Sequence, residues 1–226
     1  LSLAQLQQGI LDGANYIIIS IDVQGVILTF NRMAEELLGY RAEEVINQCT
    51  PLLFHDPEEI QARASRLSEE LNRPIDPKSI DVFTLAALHQ NAYESEWTYI
   101  AKNGDRFPVH LSVTALRDEN HNPIGFVGIA SDLRQQKQLE TERQTLDFVV
   151  KNSTEFIVIT DLDQKIIFLN QAGQNLIGID NEITVRQTYL SEYLSQDCLG
   201  LWQAEIIPHV FRSRAWEGEF SLKHVQ

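Results

Sequence analysis

Residues 17–31 read Ile-Ile-Ile-Ser-Ile-Asp-Val-Gln-Gly-Val-Ile-Leu-Thr-Phe-Asn, and this stretch decides the fold. The β-branched run at 16–21 has the composition of a buried strand. Asp22-Val23-Gln24-Gly25 follows as a tight turn, with Gly25 free to take a positive φ. Residues 26–30 return as the second strand of a hairpin. Asn31 then stands where an N-cap belongs, its side chain able to accept from an orphan amide. Met33, Leu37 and Leu38 share one face of the short helix that follows, and Gly39 ends it.

Working outward, the same grammar returns. Residues 156–170 read Phe-Ile-Val-Ile-Thr-Asp-Leu-Asp-Gln-Lys-Ile-Ile-Phe-Leu-Asn, and placing Asn31 over Asn170 lays 9–40 on 148–179 without a gap. Ile18/Ile157, Asp22/Asp161, Ile27/Ile166, Asn31/Asn170, Leu37/Leu176 and Gly39/Gly178 are identical, and the apolar positions between them coincide. Two copies of one domain are expected. The first copy continues with a helical stretch at 57–72, carrying Ile60, Ala64, Leu67 and Leu71 at 3–4 spacing. Pro74 and Pro77 interrupt it, and a second helical stretch at 79–90 presents Val82, Phe83, Leu85, Ala86 and Leu88. Strands at 94–102, 106–117 and 124–133 close the copy, the first two joined by an Asn103-Gly104 turn. The order is β-β-α-α-α-β-β-β.

Residues 134–151 are polar and helix-prone, with Leu139, Leu146 and Val149 in a stripe. They read as a linker helix that lies on its own domain or pairs across a dimer. The N-terminal stretch has a similar stripe at Leu3, Leu6 and Ile10. The class is therefore α+β: two domains, each an antiparallel sheet with helices packed on one face, joined by a helical linker. The divisions are 1–133 with its N-terminal helix, 134–151, and 152–226. The second copy is expected to lack its last two strands, since aligning Glu219 with Glu96 puts Trp216-Glu217-Gly218-Glu219 at the start of its third strand.

A net charge of −14 argues against nucleic acid and anionic membrane surfaces, because a field of that sign repels phosphate. No apolar run approaches the roughly 18 residues of a membrane span. Cys49 and Cys198 lie far apart, without metal-ligand spacing, and read as reduced thiols of a cytoplasmic protein. No nucleophile with a base, paired-carboxylate cleft, metal set or Gly-rich phosphate loop stands out, so no catalytic residue and no metal ligand is assigned. Asp22 and Asp161 read as local caps of backbone amides in their turns.

Several motifs carry a resemblance to Per-Arnt-Sim (PAS) domains. Ile21-Asp22-Val23-Gln24-Gly25-Val26-Ile27 looks like the family's hairpin, and Asn31-Arg32-Met33-Ala34 with Leu37-Leu38-Gly39-Tyr40 like its first helix. Glu96-Trp97-Thr98, Lys102-Asn103-Gly104 and residues 122–129 resemble its closing strands. Asp132-Leu133-Arg134 with Lys137 is similar to the family's exit signature, Arg134 standing where a threonine is usual.

The resemblance implies tandem sensor domains of a bacterial-type signal transduction protein. They would be dimeric and non-enzymatic themselves, relaying ligand or partner binding to an output domain outside this stretch. That output is a histidine kinase or a diguanylate cyclase/phosphodiesterase. It also implies a small cavity, with Phe54, Phe83, Leu85 and Leu88 on its helix side and Trp97 and Phe107 on its sheet side; simple core packing is the alternative for these six. Asp132, Arg134 and Lys137 carry the relay. No cofactor is expected, and a small-molecule ligand of unknown identity is possible. The flavin-adduct signature is not met, because Thr50 holds the thiol position and Cys49 falls one residue early. His55 and His89 are weak candidates for a haem ligand. A ligand-free interaction or dimerisation module is the second reading, and a haem or flavin sensor the third.

Overall fold

In a computed structural model of the chain, residues 2, 6, 9, 11, 13–89, 92–179, 188–219 and 221–223 are described. Of the N-terminal stripe, Leu3 and Ile10 lie outside them. Contacts divide the chain into two units, Leu1–Gln138 and Leu139–Gln226.

The first unit opens with β1 (Ile17–Ile21) and β2 (Ile27–Phe30), paired antiparallel. Asp22 closes the turn between them as a cap: its carboxylate accepts from the amides of Gln24 and Val26 at 2.9 and 2.8 Å. Gly25 takes φ 92°, and a Cβ there would run into Ile80 Cγ2, so both the backbone angle and the space favour glycine. Helices α1 (Arg32–Leu38), α2 (Ala42–Val45), α3 (Pro57–Glu70) and α4 (Asp81–His89) follow, then strands β3 (Tyr93–Ile100), β4 (Arg106–Arg117) and β5 (Pro123–Asp132). The sheet order is β2-β1-β5-β4-β3, so the first strand pairs with the last and sits inside the sheet. Along β1 and β4 alternate residues are buried, the period of two that a one-sided sheet imposes. The core holds Ile17, Ile19 and Ile21 of β1, Val109, Leu111 and Val113 of β4, and Ala64, Leu67 and Phe83 of the helices.

Two elements here escaped the sequence. Residues 42–45 form a one-turn helix, at whose start Glu44 accepts from Arg41 N at 2.8 Å. Pro51–Phe54 is a 3₁₀ turn. Each is only about one turn long, so no repeating stripe announces it.

Asn31 does more than cap α1. Its Oδ1 accepts from Ile18 N (2.9 Å) and Ala34 N (3.1 Å), while its amide donates to the carbonyls of Leu11 and Tyr16, both at 2.9 Å. The side chain is 2% exposed and satisfied at all four positions, tying the incoming chain to β1 and to the helix.

The second unit repeats this beginning. Helix α5 (Arg134–Asn152) leads to β6 (Val158–Thr160), β7 (Ile166–Leu169) and α6 (Gln171–Ile177). Asn170 accepts from Ile157 N and Gly173 N at 3.0 Å and donates to Ser153 O and Glu155 O. The correspondence runs further than the aligned motif. Ile27 N donates to Cys49 O and Ile166 N to Thr188 O, each at 3.0 Å. The 3₁₀ turn Leu190–Tyr193 matches Pro51–Phe54, and N-caps Asp56 and Ser195 open the next helices, α3 and α7 (Gln196–Leu201). A short π segment, Trp202–Ile206, and α8 (Ile207–Ser213) follow. Trp216–Glu219 is irregular, not strand; pairing begins later, where Leu194 bridges Leu222 as His55 bridges Tyr99.

Replacing Asn31 by Ala strands two buried amides and two carbonyls, so Asn31→Ala is expected to cost about 3 kcal/mol or more. Urea denaturation of variant and parent measures this.

Candidate functional site

A cavity of about 40 Å³ lies between helices and sheet in the first unit. Ile19 and Ile21 (β1), Tyr99 (β3), Leu111 and Val113 (β4) and Phe126 and Gly128 (β5) form its sheet wall. Pro51, His55, Phe83 and Thr84 form the opposite wall. A larger cleft of about 860 Å³, lined by Arg63, Glu70, Leu71 and Arg73 among others, opens to solvent on the outside. That cleft mixes charged and apolar groups, whereas the small cavity is lined mostly by apolar groups, which makes it the better candidate site.

His55 is the unusual member. It is 2% exposed and packed between Phe83, Trp97 and Tyr99, with ring centroids at 4.3, 5.2 and 4.7 Å. Nδ1 lies 2.8 Å from Pro51 O. A carbonyl can only accept, so Nδ1 carries the proton and Nε2 of the neutral ring is an acceptor. That Nε2 is buried with no hydrogen-bond partner. Burial drives the imidazole pKa down from its ordinary 6.5 to about 4, against the opposing pull of the Pro51 carbonyl. Burial likewise raises the pKa of the Tyr99 phenol. Thr84 donates its hydroxyl proton to Ile80 O at 3.0 Å and so also presents lone pairs only. Asp56, next to His55, caps α3 through Glu58 N and pairs with Arg106.

Of the six residues expected to line a cavity, Phe83 does so here. Leu85 faces the outer cleft, Trp97 a surface groove with Glu59 and Arg66, and Phe107 another with Arg134. Phe54 is wholly buried against Phe30 and Tyr40, and Leu88 packs at the edge of the core. His89 ends α4, its side chain outside the described residues. Cys49 is half-buried, its Sγ 3.9 Å from Glu44 O. A porphyrin is far larger than 40 Å³, so His55 and its surroundings do not fit haem. Among the described residues no group of three or more His, Cys, Asp or Glu is placed for a metal, and no helix is long and apolar enough to cross a membrane.

The sequence singled out His55 only as a weak candidate for a haem ligand. One available signal went unused: continuing the Asn31/Asn170 alignment sets Leu194 on His55, a polar residue in an apolar slot.

The three exit residues converge on the sheet. Asp132 accepts from Arg134 N and Nε, each at 2.8 Å, which starts α5 at the end of β5. The Arg134 guanidinium lies 4.6 Å from the Phe107 ring centre on β4, and Lys137 pairs with Glu96 of β3 at 2.6 Å. The first turn of α5 is thus held to three strands whose inner faces wall the cavity.

Because folding lowers the His55 pKa from 6.5 to about 4, the unfolded chain binds more protons in that window and stability falls as pH drops through it. The full loss is on the order of 3 kcal/mol. Chemical denaturation across this range is expected to show a steeper pH slope in the parent than in His55→Leu; equal slopes would contradict a buried neutral imidazole.

A PAS domain family profile matches residues 14–135 and a second matches 145–211. Two-component system protein A of Emericella nidulans is 28% identical over 127 residues, which are 56% of this chain and 16% of that protein. The chain therefore matches under a fifth of that relative's length. Among solved structures, the PAS domain of a Colwellia psychrerythraea protein has a TM-score of 0.43 at 20% identity, covering 59% of this chain and 99% of that one. The PAS domain of an HTR-like protein from Haloarcula marismortui has 0.39 at 20%, covering 57% and 90%. With hairpin, capped helix and five-stranded sheet inside a matched span of more than half its residues, the chain belongs to the PAS domain family.

Proposed function

We propose that this chain is the sensing and relay portion of a multidomain signalling protein. A small molecule enters the first unit, and the change passes along α5 to the second and then to an output domain. The observation carrying this reading is the anchorage of α5: Asp132, Arg134 and Lys137 bind its first turn to β5, β4 and β3, so a shift of the sheet around a ligand moves the helix. A ligand acts only through different affinity for two arrangements of that helix. A histidine kinase output is favoured by the named two-component relative, with a diguanylate cyclase/phosphodiesterase the alternative. The module works in the cytoplasm in this reading, as its two free cysteines suggest.

One observation favours a second reading, a homodimerising interaction module without ligand. Helix α5 has no buried residue, and Leu139, Leu146, Phe148 and Val149 are all exposed. Native mass spectrometry of the purified chain separates the readings. A released small molecule supports sensing. An empty dimer that Leu139→Glu with Leu146→Glu converts to monomer supports docking, and an empty monomer defeats both. An absorption spectrum checks the third reading, a haem or flavin sensor.

A further inference from the structure

The two copies differ at one buried position in a way the fold does not require. His55 and Leu194 each follow a 3₁₀ turn, each precede the N-cap of the next helix, and each form an isolated antiparallel bridge, to Tyr99 or to Leu222. Leu194 is 0% exposed, and its turn is held by Glu192, which accepts from Tyr189 N at 3.0 Å, so the frame makes this turn without a contact from the position of His55. A buried acceptor without a donor is destabilising, and leucine avoids the problem. The first unit nevertheless keeps the imidazole among the residues lining the cavity, with its Nε2 buried and unpartnered.

We propose that the first unit recognises a small, neutral hydrogen-bond donor through Nε2 of His55, and that the second unit, with Leu194 and Leu222 in place of His55 and Tyr99, does not. The proposal rests on the sensory reading above. Nε2 of His55 and the hydroxyl of Thr84 both accept, which selects a donor, while the Tyr99 phenol in the same lining can turn to accept or to donate. Ile19, Leu111, Val113 and Phe126 leave the rest of the ligand apolar. A charged group is excluded because nothing on this wall compensates its desolvation. Since a cavity near 150 Å³ holds benzene, a volume of about 40 Å³ admits roughly two non-hydrogen atoms as it stands, and a three-atom ligand enters with a small outward shift of the lining.

Ethanol and dimethyl ether, isomers that differ in having or lacking a donor, test this in the purified chain, read through the imidazole ¹⁵N resonances. Ethanol is expected to move the His55 Nε2 resonance toward its hydrogen-bonded position and to bind about tenfold tighter than the ether, one hydrogen bond's worth of discrimination. His55→Leu, whose side chain Leu194 shows the fold accepts, is expected to remove that preference while keeping its thermal transition. Equal binding of the isomers, or an unchanged preference in His55→Leu, overturns the His55 assignment and leaves the sensory reading standing. So does an Nε2 resonance already hydrogen-bonded without ligand and indifferent to ethanol, as a resident water or a bond from the neighbouring, unpartnered Trp97 Nε1 would produce. If neither isomer binds, this proposal falls. The sensory reading falls with it only if the chain also emerges empty from native mass spectrometry.

Discussion

One asparagine in each unit holds together what the hairpin alone cannot. A two-stranded hairpin is marginal in water, and a seven-residue helix is too short to persist unaided. Asn31 joins them by using its whole hydrogen-bonding capacity: two bonds accepted from β1 and α1, two donated to the segment entering β1. Asn170 does the same with its own entering segment, Ser153 and Glu155. No shorter or purely accepting side chain fills both roles, since aspartate lacks the donors and serine the reach. With that junction set, β1 is placed for pairing with β5, and the closing strands of the first unit assemble on it.

Around this shared frame the units use their interiors differently. The first has a five-stranded sheet with aromatic rings gathered on His55. The second, over its described residues, has a two-stranded sheet and a smaller cluster built on Ile166, Leu169, Ile177, Leu190 and Tyr193. Duplication explains why the caps, turns and backbone bonds agree so closely. The interior substitutions explain how two copies of one frame come to differ in chemistry, a polar acceptor in one and leucine in the other.

The coupling of cavity to helix follows from ordinary geometry. Strands β3, β4 and β5 each contribute an inner face to the cavity wall and an end or outer group to the start of α5. Arg134 takes the place of the threonine expected from family resemblance, and it makes the junction by bonding Asp132 and lying over Phe107. Arginine brings both a planar donor fork and a surface that stacks on aromatics, which threonine lacks.

Much of the frame was legible in the sequence because its causes are local. Apolar alternation marks strands, Asp22 and Gly25 mark a turn, and Asn31 and Gly39 bracket a helix, each within a few residues. The repeat was legible for the same reason, as local grammar stated twice. The cavity wall was not. Ile19, His55, Tyr99 and Phe126 are far apart in the chain, and whether an apolar side chain lines a void or fills one depends on how facing residues interdigitate. Phe54 and Phe83 look alike in the sequence; one packs solidly against Phe30 and Tyr40, and the other borders empty space. The sequence by itself determined the elements, their order and their duplication. Tertiary structure alone decided which buried atoms were left without partners, because hydrogen-bond satisfaction is a property of three-dimensional neighbours and not of residue type.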